Sequence, residues 1–144
     1  MGLLTDYFAA TDDGDAKRAL RDGPFRAGFS AIESKSLDGV VTMATLEAIL
    51  TGGNASDIIG QNKDSLVGSA GDEGPWVMRV RDSLARAFGE PDAARLYEVA
   101  QAWALTDELR GSRPDDLYGF LWNLAHLSQW AIANNRGIYC WMSL

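Results

Sequence analysis

PDAARLYEVAQAWALTDELRGSRPDDLYGFLWNLAHLSQWAIANNRGIYCWMSL, residues 91–144, is the stretch whose reading decides the fold. Pro91 fits the first position of a helix, where its missing N–H costs nothing. Leu96, Val99, Ala100 and Trp103 follow at helical spacing, joined by Leu105 and Leu109. Gly111 stops a helix that this pattern carries to about Arg110. Pro114 opens a second helix, with Asp115 and Asp116 in the first turn, where the helix dipole favours acids. Leu117, Phe120, Leu121, Leu124 and Ala131 share one face of it. Asn134-Asn135-Arg136-Gly137 closes it, with Gly137 read as the left-handed residue after the cap. The connection is short, so the two helices are expected to form an antiparallel hairpin. Ile138 to Leu144 is apolar on both alternating faces: Ile138, Cys140 and Met142 on one, Tyr139 and Trp141 on the other. That is the pattern of a strand covered on both sides.

Working outward, Leu3 to Ala10 reads as a second terminal strand, and pairing it with the last one would tie down both ends. Thr11-Asp12-Asp13-Gly14-Asp15 ends that strand and caps a short helix from about Asp13 to Arg21, stopped by Gly23-Pro24. Phe25, Phe29 and Ile32 have helical spacing, which suggests a short helix or turn within 25–37. Asp38 is an N-cap candidate for a helix from Gly39 to Leu50. Gly, Ser, Asp and Asn dominate residues 53–74, read as one long loop with at most a helical turn. Pro75 to Val80 reads as a strand and Asp82 to Gly89 as a short helix. The sum is an α+β fold: a mainly helical single domain over 1–144, with a C-terminal helical hairpin and a small sheet using strands near both termini.

Composition narrows function. A chain of 144 residues is one domain's worth, and a domain of about this size buries roughly 68–70 % of its unfolded surface. Net charge is −7, with 13 Lys and Arg against 20 Asp and Glu. Such a surface repels nucleic acid and anionic membranes and suits a basic protein partner or a cationic ligand. One cysteine, Cys140, excludes an internal disulfide and Cys-rich metal sites. The opening residues lack the basic-then-apolar pattern of a secretory signal, and no run approaches the roughly 18 apolar residues of a membrane span. The expectation is a cytoplasmic protein.

Four constellations were weighed for chemistry. Tyr118, Trp122, His126 and Trp130 fall at four-residue intervals, so they form one ridge of the last helix. The ridge lies roughly 100° from the Leu117–Leu124 stripe. Either the helix is buried over a very wide arc, or the row is an exposed interaction face, since aromatic residues are enriched at interfaces. A reactive thiol needs a base and an electropositive setting. Cys140 sits instead in an apolar strand and reads as a small buried hydrophobe. Asp12-Asp13-Gly14-Asp15 departs from a calcium loop, because Lys17 and Arg18 stand where ligand and glycine belong. The glycines of 52–74 match neither phosphate-binding motif. No catalytic, cofactor-binding or metal-binding residue is assigned.

Met-Gly-Leu-Leu-Thr-Asp-Tyr-Phe at the start, Val-Val-Thr-Met-Ala-Thr-Leu-Glu-Ala-Ile-Leu-Thr-Gly at 40–52 and Ile-Tyr-Cys-Trp-Met-Ser-Leu at the end resemble a group of small actinobacterial proteins of unknown function. Trp103 to Glu108 and Pro114 to Leu117 share the likeness. The resemblance implies a bacterial protein and carries no activity, cofactor or site residue. The functional expectation is a non-enzymatic interaction or regulatory domain, immunity-like in size and charge, with a protein partner or a second copy as ligand. The alternative is a small-molecule binder or enzyme with a cleft near residues 53–74, using carboxylates or His126.

Overall fold

Strand β1 (Leu4–Ala10) and strand β5 (Gly137–Ser143) lie antiparallel at the middle of the fold, in register from Leu4 opposite Ser143 to Ala10 opposite Gly137. The computed structural model describes residues 3–144; Met1 and Gly2, which begin the first stretch of resemblance, lie outside the described residues. Three further strands complete an antiparallel sheet of five: β2 (Ala31–Lys35), β3 (Leu66–Ser69) and β4 (Trp76–Arg79), in the order β2-β1-β5-β4-β3. The helices are α1 (Asp13–Ala16), α2 (Val41–Thr51), α3 (Ala55–Gln61), α4 (Asp82–Ala87), α5 (Ala93–Ala104) and α6 (Pro114–Ala133). Short 3₁₀ turns cover Lys17–Ala19 and Asp107–Leu109.

Alternation sends the side chains of the two central strands to two different cores. Tyr7, Ala9, Ile138 and Cys140 meet the helices: Met43 and Leu46 of α2, Leu84 of α4, Leu96 and Trp103 of α5, and Leu117, Leu121 and Leu124 of α6. Phe8, Ala10 and Tyr139 point the other way and are roofed by Ala16, Ala19, Leu20 and Phe29. Polar tips inside are satisfied. The Tyr7 hydroxyl donates to the Leu37 carbonyl at 2.6 Å, the Trp103 indole N–H to Thr45 Oγ1 at 3.1 Å, and the Trp141 N–H to the Leu20 carbonyl at 3.1 Å.

Helix starts follow local chemistry. The helix after Asp38 starts at Val41 rather than Gly39, with Val40 at the N-cap position; Asp38 stands two residues ahead, and its carboxylate oxygens accept from the N–H groups of Val40, Val41 and Thr42. Pro91 does not open α5; Asp92 is its N-cap, accepting from Ala94 and Arg95. That helix also ends earlier than expected, at Ala104, because Leu105 is 86 % exposed and gains nothing by continuing the stripe. At the end of α6 the left-handed residue is Asn135, with φ 54°, rather than Gly137, which belongs to β5. Asn135 N–H donates to Ile132 and Arg136 N–H to Ala131, closing the paired bonds that terminate helices this way.

Two expectations are corrected. Of the short helix or turn expected within 25–37, the structure holds a turn over 24–28 and no helix; Ala31–Lys35 pairs with β1 as an edge strand, and Phe25 is largely exposed. The 53–74 segment is not one loop. It holds α3, capped by Asn54 Oδ1 accepting from Asp57 N–H at 3.1 Å, and β3, which pairs with β4. Both elements are short and weakly apolar, so pairing and capping make them rather than hydrophobic periodicity. The sheet is accordingly wider than the small one expected. Among the described residues no helix is long and apolar enough to cross a membrane.

Candidate interaction face

Helix α6 separates its two faces sharply. Leu117, Phe120, Leu121, Leu124, Ala125, Leu127, Ser128 and Ala131 are buried. One residue further round, the row at 118, 122, 126 and 130 leans outward: Tyr118 is half-buried, Trp122 is 38 % exposed, Trp130 is 44 % exposed, and His126 is exposed. The structure thus brings Tyr118, Trp122 and His126 into one stack. Ring centroids are 6.3 Å apart for Tyr118–Trp122 and 4.4 Å for Trp122–His126. Trp130 stands a turn beyond, outside the stack of rings.

A fifth aromatic joins from α5. Tyr97 is 40 % exposed and meets Tyr118 edge-on at 5.8 Å. Its hydroxyl donates to Asp115 Oδ1 at 3.2 Å, and this bond to a carboxylate raises the phenol's pKa. The sequence reading missed Tyr97. It follows Leu96 by one residue, as Tyr118 follows Leu117, and that shared offset was the available signal. His126 Nδ1 lies 2.8 Å from the Trp122 carbonyl. A carbonyl only accepts, so Nδ1 is the donor in this contact. Charge within α6 has one sign, while α5 also carries Arg95, whose guanidinium donates to the Ala87 and Phe88 carbonyls. Helix α6 contains Asp115 and Asp116 and no Lys or Arg, and Glu98 is exposed beside Tyr97.

The lone imidazole and the lone thiol do different things. His126 is on the exposed face of α6, whereas Cys140 is fully buried on the helix side of the sheet. Burial is the main force pushing the Cys140 thiol pKa up. Gly39 covers it so closely that an added Cβ would sit 3.2 Å from the sulfur. A thiol held neutral and covered is packing, not a nucleophile.

The acids near the chain start are also in use. Asp12 caps α1, Asp13 binds Arg79 and the Tyr139 hydroxyl, and Asp15 accepts from Thr11 N–H and Arg18. Glu47, only 4 % exposed, is held by Arg81 Nε at 3.0 Å and by the Ser83 hydroxyl at 3.1 Å, while Arg81 reaches on to Gln61 of α3. The cavity beside it, bordered by Ile58, Ile59 and Asn62, is about 10 Å³, which is the room of one water. Two larger clefts exist. One of about 670 Å³ runs between the end of β2 and the start of α6. The other, about 390 Å³, lies between α4 and the end of α6. His126 lines none of the three. Among the described residues no three His, Cys, Asp or Glu side chains are grouped to hold a metal ion. Comparison with family models, curated proteins and solved structures finds no match to this chain.

Proposed function

We propose that this chain is a non-enzymatic interaction domain that docks a basic protein segment on the aromatic face of α5 and α6. One observation carries the reading: Tyr97, Tyr118, Trp122 and His126 form a continuous, largely exposed run of rings on a helix pair in which α6 carries Asp115 and Asp116 and no Lys or Arg. Rigid aromatic rings supply contact area at low entropic cost and dominate interface energetics. Ring faces beside carboxylates suit Arg and Lys side chains, through cation–π contact and ion pairing together. The net charge of −7 would steer such a partner inward. It would also oppose a second copy of the same chain at this face. An immunity-like role, covering a cationic partner, is consistent with size and charge by analogy alone.

The test is a tryptophan-fluorescence titration with an Arg-rich peptide and with its Glu-substituted counterpart. The Arg-rich peptide is expected to bind, less tightly as salt rises, and the double variant Trp122→Ala/Trp130→Ala to weaken it about tenfold or more. Equal binding of the two peptides, or unchanged binding by the folded double variant, would refute the reading. Light scattering at the same concentrations gives the other occupant: dimers lost in the double variant would replace the basic partner with a second copy.

A further inference from the structure

The 390 Å³ cleft between α4 and the end of α6 concentrates the opposite charge. Arg79, Arg86 and Arg136 all line it, against one carboxylate, Asp82. Arg79 is spoken for: it is ion-paired with Asp13, and its Nη1 donates to the Asp64 carbonyl at 3.1 Å. The Arg86 side chain makes no hydrogen bond or ion pair among the described residues, although Asp82 is one helical turn away on α4. Arg136 has only Nη1 engaged, on the Asn134 carbonyl at 2.8 Å. In a chain with seven more acids than bases, two guanidiniums facing one cleft without a carboxylate partner is an unusual allocation of charge.

Neutral donors stand around the same cleft. The Asn135 side-chain amide lines it without a partner among the described residues, and the Thr11 hydroxyl, also at the cleft, is engaged by the Asp15 carboxylate. At the end of α6 the carbonyls of Trp130, Ala131 and Ile132 accept from residues 134–136. Ala131 and Ile138 give the cleft an apolar floor.

We propose that this cleft is a binding site for a small phosphate-type dianion, held between the Arg86 and Arg136 guanidiniums with the Asn135 side-chain amide as a neutral donor. Guanidinium forks match the oxygen geometry of phosphate. The acidic surface elsewhere does not forbid this. At physiological ionic strength charges beyond about 8 Å are largely screened, so the nearest groups decide. The site is independent of the aromatic face and stands or falls separately.

The experiment titrates the full chain with inorganic phosphate and, in a second arm, with phenyl phosphate, following the Arg Nε–H signals by NMR. Saturable shifts of the Arg86 and Arg136 signals are expected. Arg86→Gln, which breaks no contact within the chain, and Arg86→Gln/Arg136→Gln should weaken binding progressively, by about tenfold or more for the pair. Arg110→Gln, on an exposed turn, should leave it unchanged. Tighter phenyl phosphate would assign the cleft to a phosphomonoester whose body uses the apolar floor, and equal affinity to the free anion. Shifts that never saturate, or equal binding by the folded double variant, would overturn the site.

Discussion

Trp103 and Trp122 sit on adjoining helices and show one side chain used in two ways. Trp103 is wholly buried between α2 and α6; its ring meets Phe120 at 6.1 Å and its N–H is satisfied by Thr45. Trp122 keeps 38 % of its surface in solvent, and its rings meet only the exposed row. The first is worth its apolar area and its place in a close-packed core. The second forgoes much of that stabilisation and leaves a surface that another molecule can cover. Burial of a tryptophan therefore separates architecture from contact surface more reliably than its position in a helical pattern.

The comparison breaks most easily at its buried end. Trp103→Ala is expected to cost about 3–5 kcal/mol, through lost burial and the cavity left behind, as read by urea denaturation. Trp122→Ala should change stability by less than about 1 kcal/mol in the same measurement. Similar losses for both would erase the distinction.

Charges sharpen the same contrast at smaller amplitude. The Glu47–Arg81 pair has side-chain exposures of 5 % and 24 %, and the Asp107–Arg110 pair 87 % and 83 %. Glu47→Gln leaves Arg81 facing a neutral, poorly matched partner and is expected to cost about 2–3 kcal/mol. Asp107→Asn should cost less than about 0.5 kcal/mol. Thermal melts at matched pH decide between a structural clamp across α2, α3 and α4 and an ornament of the surface.

The smallest effect is an acid one. Asp13 is held below the usual carboxylate range, first by its hydrogen bonds from Arg79 and then by that from the Tyr139 hydroxyl. A carboxylate with a lowered pKa contributes stability that is complete above its unfolded pKa and lost as pH falls through the folded one. Asp13→Asn should therefore be less stable than the parent at pH 7 and converge with it once the pH has fallen through the lowered pKa of folded Asp13. A gap that persists in acid would assign the loss to something other than ionisation.

The parts of the fold legible in the sequence were those with strong local signals. Helix α6 showed its apolar stripe and proline start, and β1 and β5 showed two-sided apolar runs that pair as expected. What escaped was made by partners. Ala31–Lys35 has a single large apolar residue, Ile32, and becomes a strand because β1 offers a free edge. Leu66–Ser69 becomes one because β4 does. The aromatic row was legible as a row, but its exposure was not. Exposure depends on how far the neighbouring α5 reaches around α6, which no single-helix pattern contains. Tyr97 was missed for the same reason, and the arginines of the α4–α6 cleft come from three separate segments.

The strand order β2-β1-β5-β4-β3 places the last strand of the chain between two pairs completed long before it. During synthesis β1 and β4 each present an unfilled edge until residues 137–143 emerge, and such edges invite pairing with other nascent chains. Leu4 must then find Ser143 across all the other elements of the fold, a closure that makes for slow folding. A ribosome stalled before Gly137 would release a molecule split down its centre line rather than one merely short of a tail.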